Sequence, residues 1–205
     1  MRIKITMSHK TELVAAVQNK IRTLMSDFEY EHATQVRDLC LELYSDAPVE
    51  LELAALCHDI DRSVPAWKVD TKNATTTEYE YAKGIHSATS ALYILHKNII
   101  PDITTAYTCA LIMLRHEHGP LSMDTSLPFN SEIDLRKCAL TLWYADKICF
   151  FKYGLESYAK RGEEALYNKM CFSLKGLPVD LVSSCIAYTP EEYKLLAERA
   201  AVITN

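Results

Sequence analysis

An all-helical fold is predicted by three features of the sequence. Glycine (5) and proline (7) are scarce in a 205-residue chain, while Ala, Leu, Glu and Lys are common, a balance that favours helices over a turn-rich β architecture. Apolar residues recur at steps of three and four along most of the chain. Helix-starting and helix-ending signals punctuate those stretches at Asp46-Ala47-Pro48, Pro101-Asp102, Gly119-Pro120 and Thr189-Pro190-Glu191. With 49% hydrophobic residues, the whole chain, 1–205, fits one domain able to bury a sizeable core.

Residues 10–27 place Leu13, Val14, Val17, Ile21, Leu24 and Met25 on one helical face, which Phe28 is expected to extend. From Tyr30 to Tyr44, His32 shares a face with Val36, Leu39, Cys40 and Leu43. Asp46 is expected to cap a helix from Pro48 to Asp61. Residues 63–78 break the period with Pro65 and a Thr/Asn cluster; Trp67 and Lys68 there suggest either a lid over a base or phosphate or a simple packing anchor.

A helix over 79–97 carries Ile85, Ala88, Thr89, Leu92 and Leu95 on one face with His86 beside it, and leaves His96 at the surface. The next runs from Pro101 to Arg115-His116-Glu117-His118, where Gly119 and Pro120 stop it. Ser131 is expected to cap a helix with Ile133, Leu135, Cys138, Leu142 and Ala145 on its apolar face. Residues 154–173 and 178–187 read as further helices, and Thr189 as the cap of a last one reaching Val202. These C-terminal helices cover the core or form a dimer surface.

A formal net charge of −5 argues against a surface that coats polymeric nucleic acid. The seven cysteines lack CxxC pairs and lie mostly in apolar helical stretches, as buried thiols of a reducing compartment do. The N-terminal residues do not form a signal peptide and no apolar run is long enough for a membrane helix, so a cytoplasmic protein with no membrane partner is expected.

Chemistry concentrates at Leu53-Ala54-Ala55-Leu56-Cys57-His58-Asp59-Ile60-Asp61-Arg62, where an apolar helical run ends in polar groups that a core accepts only if they are compensated. A metal is the simplest compensation. Neighbours on a helix point about 100° apart, so His58 and Asp59 share a site if the carboxylate lies between two cations. Asp146, in the apolar run Trp143-Tyr144-Ala145-Asp146-Lys147-Ile148, poses the same problem.

In chain order His32, His58-Asp59, His86, His116 and Asp146 resemble the six-ligand set of two-metal branches of the HD-domain superfamily of metal-dependent phosphohydrolases, over about residues 28–152. The remainder, about 153–205, is then a C-terminal helical extension. His116-x-x-Gly119 and Ala145-Asp146-x-Ile148 are most similar to motifs of the symmetrical diadenosine tetraphosphate hydrolases, although Cys149-Phe150-Phe151-Lys152 replaces the acidic residue, proline and arginine usual there.

The resemblance implies two divalent ions, of iron, manganese, cobalt or zinc. His32, His58 and Asp146 would bind one and His86 and His116 the other, with Asp59 bridging. It further implies cleavage of a phosphoester or phosphoanhydride of a nucleotide or other small phosphorylated metabolite by a metal-bridging hydroxide. Arg62, Lys147 and His118 would neutralise phosphate oxygens, while Asp61 would orient water or accept a proton. Two other readings share this ligand set: a mixed-valent di-iron oxygenase, and a non-catalytic nucleotide-binding module. A homodimer is compatible with all three.

Overall fold

The computed structural model describes residues 7–63, 76–116 and 133–204, with the backbone alone described at 7–8 and 76–84. Every regular element among the described residues is helical. The chain divides into two compact units, 1–142 and 143–205, a boundary earlier than the 152/153 division suggested by the motifs.

In the first unit the organising element is α3, Val49–Cys57, in which every residue is buried. A helix buried on all sides has to be surrounded. α1 (Met7–Arg22), α2 (Asp27–Leu43) and α5 (Ile103–His116) pack against it, and α4 (Thr76–His96) packs on α5. Of its two acids, Glu52 lies 3.5 Å from Lys10 Nζ, and at Glu50 the backbone carbonyl accepts from Cys109 Sγ at 3.2 Å, joining α3 to α5. The expected Asp46 cap is not used. Pro48 occupies the N-cap position and makes no side-chain cap bond.

Between α1 and α2 the chain turns, so Phe28 does not extend the α1 face but stands exposed on α2. Ser26 caps α2 reciprocally with Glu29, a Ser-x-x-Glu signature legible in the sequence. Glu29 Oε2 also accepts from Ser63 Oγ at 2.6 Å. Ser63 ends the 3₁₀ turn Ile60–Ser63 that follows α3, so one carboxylate ties that turn to the start of α2.

On α4 the expected apolar stripe is not the buried one, for Leu92 is 61% exposed while Ser87, Ser90, Ala91, Tyr93 and Ile94 are buried. Small residues let a helix approach its neighbours closely, which hydropathy spacing alone does not register. Asp102 caps α5 through Thr105 N–H (2.8 Å), and Asp134 caps α6 (Leu135–Cys149) through Lys137 N–H (2.9 Å). The proposed Ser131 cap and the Trp67/Lys68 lid lie outside the described residues.

In the second unit a π-helical turn, Phe150–Gly154, leads into α7 (Leu155–Ala159), followed by α8 (Glu163–Leu174), α9 (Val179–Tyr188) and α10 (Glu191–Thr204). The single helix expected over 154–173 is split at Gly162, whose φ of +105° a side chain would strain. Thr189 does not fill its expected capping role in the described bonding: its hydroxyl donates to the Cys185 carbonyl at 2.9 Å. No helix among the described residues is long and apolar enough to cross a membrane.

Replacing Glu29 by Ala removes the side-chain half of the capping box and the bond to Ser63, leaving the residue 29 N–H to Ser26 Oγ bond; chemical denaturation is expected to show a loss of about 1 kcal/mol, typical of a helix cap.

Burial raises the Cys57, Cys138 and Cys185 thiols to about 12 and holds Cys109 well above its ordinary value, whereas Cys171 is only partly buried. An aromatic disulfide reagent at about pH 8 is therefore expected to reach Cys171 alone in the native protein and all seven cysteines in denaturant. Above about pH 9 the unfolded thiols ionise while the buried ones stay protonated, so stability falls as pH rises towards 12.

Candidate metal centre

α3 ends at Cys57, and the next residues leave it with their side chains still inside the protein. His58, Asp59 and Asp61 are all buried. The Asp59 carboxylate is the focus. His86 Nε2 lies 2.7 Å from its Oδ1, Arg62 Nη1 2.9 Å from its Oδ2, and His32 Nε2 3.5 Å from Oδ2. Burial by itself would raise the Asp59 pKa, but Arg62, then His58 and His86, and a hydrogen bond from His86 hold it well below the usual carboxylate range.

His86, on α4, is gripped by two carboxylates. Its Nδ1 is 2.6 Å from Asp61 Oδ1 and 2.7 Å from Asp61 Oδ2, while Nε2 faces Asp59. Burial would lower its pKa, but the Asp59 charge and hydrogen bonds to Asp59 and Asp61 prevail and push it up to about 10. Both ring nitrogens of His86 thus face carboxylate oxygens, which only accept.

His58 and His116 are held differently. His58 Nδ1 donates to the Ala55 carbonyl at 2.8 Å, and His116 Nδ1 to the Met113 carbonyl at 2.5 Å. A carbonyl only accepts, so Nδ1 carries a proton in each ring and Nε2 of the neutral form has the lone pair. This backbone-carbonyl hydrogen bond is how metal-ligating imidazoles are commonly oriented. The His58 ring centroid is 5.5 Å from that of His116 and 5.3 Å from that of His32.

One ligand atom each from His32, His58 and Asp59 lies within 4.8 Å of the others, close enough for a single ion to be held after small side-chain adjustments. Two imidazoles and a carboxylate suit a transition-metal dication better than calcium. The donor set therefore fits a metal.

The first unit thus brings together His32, His58, Asp59, Asp61, Arg62 and His86, with His116 against His58. Asp146 is half-buried on α6 in the second unit, and the role given to it rests on the resemblance alone. His118 lies outside the described residues.

Lys147 departs from expectation. Its ammonium is buried and donates to the carbonyls of Phe172 (2.9 Å), Ser173 (3.3 Å) and Lys175 (3.4 Å), the otherwise unsatisfied end of α8. Trp143 and Phe172 cover it at 4.5 and 4.9 Å. An ammonium has three donors, and here all three are engaged in holding a helix terminus, which corrects its assignment to phosphate neutralisation. What the sequence reading missed is Ser90, whose hydroxyl donates to Asp61 Oδ1 at 2.8 Å; no motif marks it, since its partner is reached only through the fold.

Comparison of the chain with protein-family models, curated proteins and solved structures finds no match in any of the three.

Exchange of Lys147 for Met is expected to lower stability by roughly 1–3 kcal/mol, as for lost hydrogen bonds to a charged group, with bound metal per folded chain unchanged; thermal unfolding and elemental analysis read the two effects separately.

Proposed function

We propose that the chain is a metal-dependent phosphohydrolase of the HD type, acting on a phosphoester or phosphoanhydride of a nucleotide or other small phosphorylated metabolite. The observation that carries this reading is the buried His32–His58–Asp59 cluster, with ligand atoms within 4.8 Å of one another and His86 directly against Asp59. Burying such a group of imidazoles and carboxylates is unfavourable unless something compensates it, and a dication does so most directly.

In this proposal His32, His58 and Asp59 hold one divalent ion, and His86 and His116 contribute to a second. Bound divalent ions supply Lewis acidity towards a phosphoryl oxygen and make a coordinated water acidic near neutral pH. Arg62 orients the substrate: its side chain is 51% exposed and reaches Asp59, so its planar guanidinium can exchange part of that contact for a phosphate oxygen. The carbonyl bonds from His58 and His116 keep their rings from turning when substrate arrives. With Nδ1 of His86 donating to Asp61, its Nε2 would serve as a ligand in the neutral form of the ring.

Elemental analysis of anaerobically purified protein is expected to find about two divalent ions per chain, and their loss in Asp59→Ala, together with loss of phosphate release from nucleotides. No metal in repeated preparations overturns the proposal. A mixed-valent iron signal with no phosphate release replaces it with the oxygenase.

A further inference from the structure

Ser90 is fully buried on α4 and bonds to Asp61 at two places. Its hydroxyl donates to Asp61 Oδ1 at 2.8 Å and accepts from the Asp61 backbone N–H at 3.3 Å. Asp61 in turn presents both carboxylate oxygens to His86 Nδ1, at 2.6 and 2.7 Å, and the opposite side of that ring meets Asp59 Oδ1 at 2.7 Å. Ser90, Asp61, His86 and Asp59 therefore form one continuous chain of hydrogen bonds ending on the residue at the focus of the metal centre.

Ala at position 90 would be the better helix former, and its neighbour on the same buried face is already Ala91. A buried hydroxyl is unfavourable unless it is bonded, and this one is bonded to a single residue through both its donor and its acceptor capacity. Clamped at main chain and side chain, Asp61 cannot swing its carboxylate without breaking the bond to Ser90. With Asp61 fixed, His86 cannot rotate without losing Nδ1–H to carboxylate contact.

We propose that Ser90 is a positioning residue of the metal centre: acting through Asp61, it fixes the plane of the His86 ring so that Nε2, and not Nδ1, is directed at Asp59 and at an ion bound there. The proposal rests on the metal-centre reading above. It gives Asp61 the task of orienting an imidazole, in place of the water-orienting role expected from its position after the His-Asp pair. Outer hydrogen-bond partners of this kind set both the tautomer and the direction of a ligating ring.

Calorimetric titration with Mn²⁺ of the wild type, Ser90→Ala, Asp61→Asn and the double variant tests it, with circular dichroism confirming that each is folded. Ser90→Ala is expected to weaken binding by about 10-fold, within the range for lost outer partners, and Asp61→Asn by at least as much. The double variant should bind no more weakly than Asp61→Asn alone, because Ser90 acts only through Asp61. An affinity of Ser90→Ala within about twofold of wild type overturns the proposal, as does a double variant showing the product of the two single losses.

A second measurement needs no variant. In zinc-loaded wild-type protein with ¹⁵N-labelled histidine, long-range ¹H–¹⁵N correlation should find the His86 proton on Nδ1. A proton on Nε2 with Nδ1 bare overturns the proposal even if Ser90→Ala fails to fold. Wild-type protein that takes up neither Mn²⁺ nor Zn²⁺ overturns the metal-centre reading and this inference together, whereas normal uptake with an unaffected Ser90→Ala overturns this inference alone.

Discussion

The Asp59 carboxylate is 1% exposed at the end of a helix packed into the middle of its unit, and compensating that buried charge is the constraint on which the surrounding structure depends. Burial alone would favour its neutral form, yet the carboxylate stays ionised because Arg62, His58 and His86 converge on it from its own turn and from α4. His86 in turn sits between Asp59 and Asp61, whose carboxylates push its pKa up. Removing any one of these groups leaves the others incompletely compensated, so they are better regarded as one electrostatic unit than as a list of pairs.

The fold serves that unit by fixing its backbone. α3 is surrounded by α1, α2 and α5, and so cannot shift without disturbing close-packed neighbours. The 3₁₀ turn that follows it is tied to α2 by the Ser63–Glu29 bond, near the origin of the helix that carries His32. On the other side α4 contacts the same turn, bringing Ser90 and His86 against Asp61. Two helices, α2 with His32 and α4 with His86, thereby deliver side chains to a carboxylate carried by the turn after α3.

Lys147 shows how the same chemical logic can produce a different outcome. A buried cation beside an Asp in an apolar helix suggests phosphate chemistry when only the sequence is in view. The terminus of α8 supplies an alternative acceptor set, three carbonyls, and aromatic rings of Trp143 and Phe172 complete the cation's surroundings. Gly176, with φ +80°, closes the same helix end and leaves room for Trp143, whose ring atom comes within 3.2 Å of where a Cβ would stand.

The all-α class, most helix positions and the burial of His58 and Asp59 were determined by the sequence itself, because composition and a three-to-four residue period act locally along the chain. The Ser26–Glu29 capping box was equally local and could have been found there. Which face of α4 is buried was not legible: hydropathy ranks Leu92 above Ser90, whereas close helix packing prefers the smaller residue. Nor could spacing reveal that Asp61 holds His86, that Ser90 holds Asp61, or that Lys147 closes α8. Each of those bonds joins groups on different helices, and only the tertiary packing of those helices decides which polar groups meet.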